Sequence, residues 1–168
     1  MALSLYDVSI PVFIRSLRNL SAILEKGRSF ADEKGLPHST LLEARLIDDM
    51  SPLTAQIQRA SDAAKFVAVR VAGVESVAMQ DNEASFDDLQ ARIAATIAFL
   101  EAVPGDAMDG REEDVVTIKM PSRSIEFTAR DYVLHFALPN FFFHVTTAYD
   151  LLRHKGVPIG KMDFLGGI

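Results

Sequence analysis

Apolar residues recur at three- and four-residue steps along most of the chain. Between Ser4 and Lys34 the positions Leu5, Val8, Val12, Phe13, Leu17, Leu20, Ile23 and Leu24 fall on one helical face. Pro11 either kinks this helix or sits in its first turn. Gly35 followed by Pro37 stops it. Thr40 and Glu43 have capping-box spacing and predict a short helix from Thr40. Ser51-Pro52 predicts a serine cap with proline at the first helical position. That helix runs to Ala72 through the stripe Leu53, Ile57, Ala60, Ala64, Val67 and Val71, and Gly73 closes it. Met79 to Ala84 is a polar loop. Ser85 and Asp88 form a second capping box, which opens a helix through Leu89, Ile93, Ile97 and Leu100 that ends at Val103-Pro104-Gly105.

The helical period then gives way. Val116 to Met120 and Ser124 to Phe127 alternate apolar and polar residues on either side of Pro121, the pattern of a short exposed β-hairpin within an insertion spanning residues 111–128. Thr128 is placed to cap a last long helix from Ala129 to His154, which Pro139 kinks or restarts. Arg153 and Lys155 suit the carbonyl end of this helix. The tail from Val157 to Ile168 is expected to be extended and to lie against the helices. Four long amphipathic helices with one helix-poor insertion predict an all-α protein, a four-helix bundle. The whole chain, 1–168, reads as one domain.

Composition narrows the possibilities. With 168 residues, 49% of them hydrophobic, the chain is large and apolar enough for a real core. A net charge of −6 leaves no cation surplus for phosphate, so nucleic acid is not an expected partner. The chain has no Cys, which removes disulfides, thiolate nucleophiles and cysteine-type zinc sites. No stretch of 18 apolar residues occurs, and the first 20 residues lack a signal-peptide pattern, so no membrane partner and a cytoplasmic location are expected.

Chemistry concentrates on the last helix. Asn140 and His144 lie one turn apart, in an arc shared with Thr147 and Leu151, on a face that also carries Phe136 and Phe143. His135, nine residues from His144, points the opposite way. Asp49 and Gln56 flank the start of the second long helix, about two turns apart if that helix reaches back to Asp49. If the second and last helices face each other, Asp49, Gln56, Asn140 and His144 converge. Such a cluster is either a ligand or metal site, or a hydrogen-bond network fixing helix register. Arg45 is an anion anchor or a salt-bridge residue.

Three segments, LSLYDVSIPVFIRSLRNLSAILEK, ARLIDDMSPLTAQIQRASDAAK and LPNFFFHVTTAYDLLRHKGVPIGKMDFLG, together resemble the domain-of-unknown-function 1993 (DUF1993) family. That family is placed in the DinB/YfiT-like superfamily of metalloenzymes. The resemblance spans Leu3 to Gly166. It implies a DinB-like antiparallel four-helix bundle with a long crossover connection, and a homodimer. Metal-binding members of the superfamily use one His on the second helix and a His-x-x-x-His pair on the last. Here the pair reads Asn140 and His144, and the second helix offers only Asp49 and Gln56. Two expectations follow. The first is a protein with a degenerate metal site, no cofactor, and a pocket for a small-molecule ligand at Asp49, Gln56, Asn140 and His144. The second is an enzyme of thiol-transferase or hydrolase type, with a divalent metal (Ni, Mn, Fe or Zn) on Asp49, Asn140 and His144.

Overall fold

The computed structural model describes residues 3–167. The single-domain expectation also took in residues 1, 2 and 168, which lie outside the described residues. The chain is mostly helical, with one two-stranded antiparallel sheet. Helix α1 spans Ile10–Lys34, later than Ser4, because Leu5 to Ser9 form a turn instead. Pro11 sits in the first turn of α1, where its missing N–H costs nothing, and does not kink the helix. Gly35, at φ 62°, closes it in the left-handed conformation, and its N–H reaches Ala31 and Asp32 carbonyls.

Helix α2 is one turn, Ser39–Leu42. The predicted Thr40 box is not formed: the helix begins a residue earlier, behind His38, with no side-chain cap. Helix α3, Leu53–Val67, continues as a π-helical turn over Ala68–Ala72 before Gly73. Its N-cap is Pro52, so Ser51 is not the cap that the sequence pattern suggests. The Ser51 carbonyl serves Gln56 instead. Helix α4 is Phe86–Glu101, opened by the expected reciprocal box between Ser85 and Asp88.

Strands β1 (Val115–Lys119) and β2 (Ser124–Thr128) form the hairpin in the predicted insertion. It is less exposed than its composition suggests, since Val116 and Ile118 are buried. Thr128 caps the next helical stretch as expected, accepting from the Asp131 N–H. That stretch is α5 (Ala129–Asp131), a second π-helical turn (Tyr132–Ala137), and α6 (Leu138–His154). The tail is not fully extended: Lys161–Leu165 forms α7, with the Asp163 carboxylate accepting the Gly160 N–H at 2.8 Å. It does lie against α1, where Asn19 and Arg15 donate to the Phe164 and Leu165 carbonyls.

The long helices share one core. α3 packs against α6 and α4, and α1 against α4 and α6. Phe13 of α1 meets Phe141 of α6 edge-on at 4.8 Å between ring centroids. No helix among the described residues is long and apolar enough to cross a membrane.

One buried cation ties the connection between α3 and α4 to the helices. The Arg92 side chain is 2% exposed. It donates to Asp81 and Glu83 at 2.8 Å and to Asp62 of α3 at 3.1 Å. Burial by itself raises the Glu83 carboxyl, but hydrogen bonds from Arg92 and Gln58 outweigh it and hold the group below the usual carboxylate range. Of its three carboxylate partners only Glu83 is buried, so removing Arg92 strands chiefly that one without its charge partner in a dry site. Arg92→Ala is therefore expected to cost about 3 kcal/mol in urea unfolding, and the double variant Arg92→Met/Glu83→Gln distinctly less, because it leaves one fewer unpaired charge. Equal losses in the two would contradict this assignment.

Candidate functional site

A cleft of about 320 Å3 opens where α3 meets α6. Arg59, Asp62, Ala63, Phe66 and Arg70 line one side, a single helical face continued into the π turn. Tyr132, Phe136, Ala137, Asn140 and His144 line the other, and Ile118 of β1 adds part of the wall. The hairpin insertion thus contributes directly to the cleft.

Both π turns lie on it. A π turn takes an extra residue per hydrogen-bonded ring and widens the helix locally. The second precedes Pro139, which has no N–H to give the preceding turn and whose ring crowds the carbonyl four residues back. Widening the turn accommodates both. The result sets Tyr132 and Phe136 in a near-parallel stack, 5.9 Å between centroids and 22° between planes, with Phe127 of β2 against both rings.

At the other end, His144 Nδ1 lies 2.8 Å from Gln56 Oε1. Gln56 is buried, and its Nε2 donates to the Ser51 carbonyl at 2.9 Å. That second bond orients the amide, because the opposite flip would set two carbonyl oxygens face to face. Nδ1 must therefore carry the proton, and Nε2 is the bare lone pair. Nε2 has no hydrogen-bond partner among the described residues, yet the one fully sealed, unpartnered side-chain nitrogen among them is Arg92 Nε. His144 Nε2 thus opens to the cleft. Burial, reinforced by the Arg59 charge, lowers the imidazole to a pKa of about 4 and keeps it neutral at pH 7. The half-buried Asn140 amide, one turn away, is also without a protein partner among the described residues.

Of the four residues singled out from sequence, Gln56 and His144 meet directly, and Asn140 shares the cleft with His144. Asp49 does not line the cleft. The helix expected to reach back to it begins at Leu53, and Asp49 sits in an exposed turn. Arg45 makes no ion pair among the described residues; it donates to the Met50 carbonyl and closes the same turn. Phe143 does not join the apolar face, being 55% exposed. His135, as expected, does not share the cleft with His144; its side chain faces solvent.

This donor set does not fit the metal centre that the superfamily resemblance implies. No group of three His, Asp or Glu side chains that could hold a metal ion occurs among the described residues. Around His144 stand a neutral amide and the Arg59 guanidinium, which are a weak ligand and a repelling charge.

The sequence pattern does not single out Arg59, Phe66, Arg70 or Tyr132, whereas Phe136, expected on the Asn140 and His144 face, lines the cleft with them. A signal existed: Arg59, Phe66 and Arg70 are spaced by seven and four residues, one helical face beside the core stripe. Their meeting with Tyr132 is a tertiary fact.

A family model described as "Domain of unknown function (DUF1993)" matches residues 5–165. No curated protein matches the chain. The crystal structure of a DinB family member from Shewanella denitrificans is similar, with a TM-score of 0.90 and 34% sequence identity, over 98% of this chain and 93% of that one.

The neutral imidazole has a consequence for stability. The folded pKa of about 4 lies below the unfolded 6.5, so between those values the unfolded chain binds the extra proton. Stability contributed by the neutral ring is complete above pH 6.5 and is lost as pH falls to 4. Between pH 7 and 4.5 the wild type should lose about 2 kcal/mol more than His144→Gln in paired urea titrations. Carboxylates titrate equally in both proteins, so identical losses would refute the assignment.

Proposed function

The chain belongs to the DUF1993 family, and on that premise we propose that it is a DinB-like antiparallel four-helix bundle whose α3–α6 cleft binds a small organic molecule directly, with no metal ion. One observation carries this reading. The Gln56 bond fixes the His144 tautomer so that an unprotonated Nε2 and the free Asn140 amide open to an aromatic-walled cleft. A buried acceptor beside an amide that both donates and accepts is a recognition pair for a hydroxyl or N–H group. Aromatic walls with a few placed polar atoms are the usual make-up of a small-molecule site. In this reading Asn140, His144 and Gln56 are the ligand-binding residues, with Gln56 acting through His144.

The metal-enzyme reading asks for Asp49, Asn140 and His144 around one ion. Asp49 belongs to an exposed turn outside the cleft lining, and a single imidazole with one amide is a poor centre. Metal content of protein purified without an affinity tag, after exposure to Ni, Mn, Fe or Zn salts and dialysis, is expected to stay far below one ion per chain. A fragment screen by NMR is expected to yield ligands that shift the Asn140 side-chain amide and the His144 ring, with at least tenfold weaker binding to Asn140→Ala. Near-stoichiometric metal that is lost in His144→Ala would overturn this reading.

A further inference from the structure

Two guanidinium groups stand on the cleft without a carboxylate partner among the described residues, in a chain whose net charge is −6. Arg70 is the more constrained. It lies over the Phe66 ring at 4.5 Å and the Tyr132 ring at 5.5 Å, and donates from Nη1 to the Tyr132 hydroxyl at 2.9 Å. Stacking on two rings holds the guanidinium plane in place while leaving its remaining N–H groups free. The tyrosine that supports it is 1% exposed. Arg59 sits eleven residues earlier on the same face, toward His144, and is exposed.

The one carboxylate on the cleft is already committed. Asp62 is paired with Lys65 and with the buried Arg92, each at 3.1 Å. The two cations on the same helical face, Arg59 and Arg70, therefore have no carboxylate of their own among the described residues. A pre-oriented, unpaired guanidinium on an aromatic wall matches a planar carboxylate, because its N–H fork and the two carboxylate oxygens are geometrically complementary.

We propose that the cleft is an organic-acid site: Arg70 takes a carboxylate, Phe66 and Phe136 flank a flat apolar body, and Asn140 with His144 Nε2 takes a hydroxyl at the far end. This rests on the reading of the cleft as a small-molecule site and names its ligand class. Arg59, exposed at the rim, adds long-range attraction for the anion. An isolated phosphate is less suited, since the aromatic walls would face nothing apolar.

4-Hydroxybenzoate and its neutral isostere 4-hydroxybenzamide separate the two layers of this argument, using the full-length protein and NMR or calorimetric titration. A ligand of this size is expected to bind with a dissociation constant between roughly 10 µM and 1 mM. The acid should bind at least tenfold tighter than the amide. Arg70→Gln should abolish that preference, weakening the acid at least tenfold more than the amide. Arg59→Gln, an exposed substitution that spares the fold, should weaken the acid severalfold and steepen nothing for the amide. Unchanged folding of Arg70→Gln is checked by its melting curve, and Arg70→Lys, which keeps charge without the planar fork, should recover only part of the preference. Equal binding of acid and amide would overturn the carboxylate assignment and leave the small-molecule reading standing. Failure of both compounds to perturb the Arg70, Asn140 or His144 resonances at 10 mM, roughly ten times the weakest expected constant, would overturn both.

Discussion

The hydrogen bond from His144 Nδ1 to Gln56 Oε1 is the constraint around which the cleft is organised. It crosses the junction of α3 and α6, the most closely associated pair of helices in the molecule. A buried imidazole and a buried amide each cost free energy unless satisfied, so the pair tolerates few registers between the two helices. Gln56 is itself aimed by the Ser51 carbonyl, which is available because α3 begins at Leu53. The chain therefore runs from a helix start, through an amide orientation, to the protonation of one ring nitrogen. Everything polar that the cleft offers at this end follows from that sequence of bonds.

The opposite end depends on backbone irregularity. The two π turns set Arg70 on one side and Tyr132 and Phe136 on the other, where a regular helix would place other residues on this face. Arg92 acts from outside the cleft by engaging Asp62, so that this carboxylate does not neutralise the guanidinium groups nearby. Besides Asp62, which is paired with Lys65 and Arg92, the cleft has one neutral imidazole, one amide and two guanidinium groups without a carboxylate partner among the described residues.

Much of the frame is legible in the residues because its signals are local. Gly35 stops α1, Ser85 and Asp88 open α4, Thr128 opens α5, and the alternation on either side of Pro121 marks the hairpin. Each acts within a few residues of itself. Gln56, Asn140 and His144 were visible as polar residues on apolar faces. Asp49 was misplaced because its position depends on the path of a turn, which spacing along a helix does not describe. The α7 turn was missed because its signal, Asp163 three residues after Gly160, lies in a short, mixed segment. Arg59 and Arg70 read as ordinary surface charges; only the fold shows that they stand together without a partner. Pro139 announced an irregularity in the last helix but not its π form, and nothing comparable marks the first π turn.

The most direct test is the protonation of the His144 ring, measured by long-range nitrogen–proton correlation NMR at pH 7. A neutral ring with the proton on Nδ1 and an unprotonated Nε2, retained in the presence of added divalent metal, is the expected result. A proton on Nε2, an imidazolium, or a metal-induced shift of Nε2 would contradict the assignment of the Gln56 bond as the organising contact, and the last of these would favour the metal-site reading of the cleft.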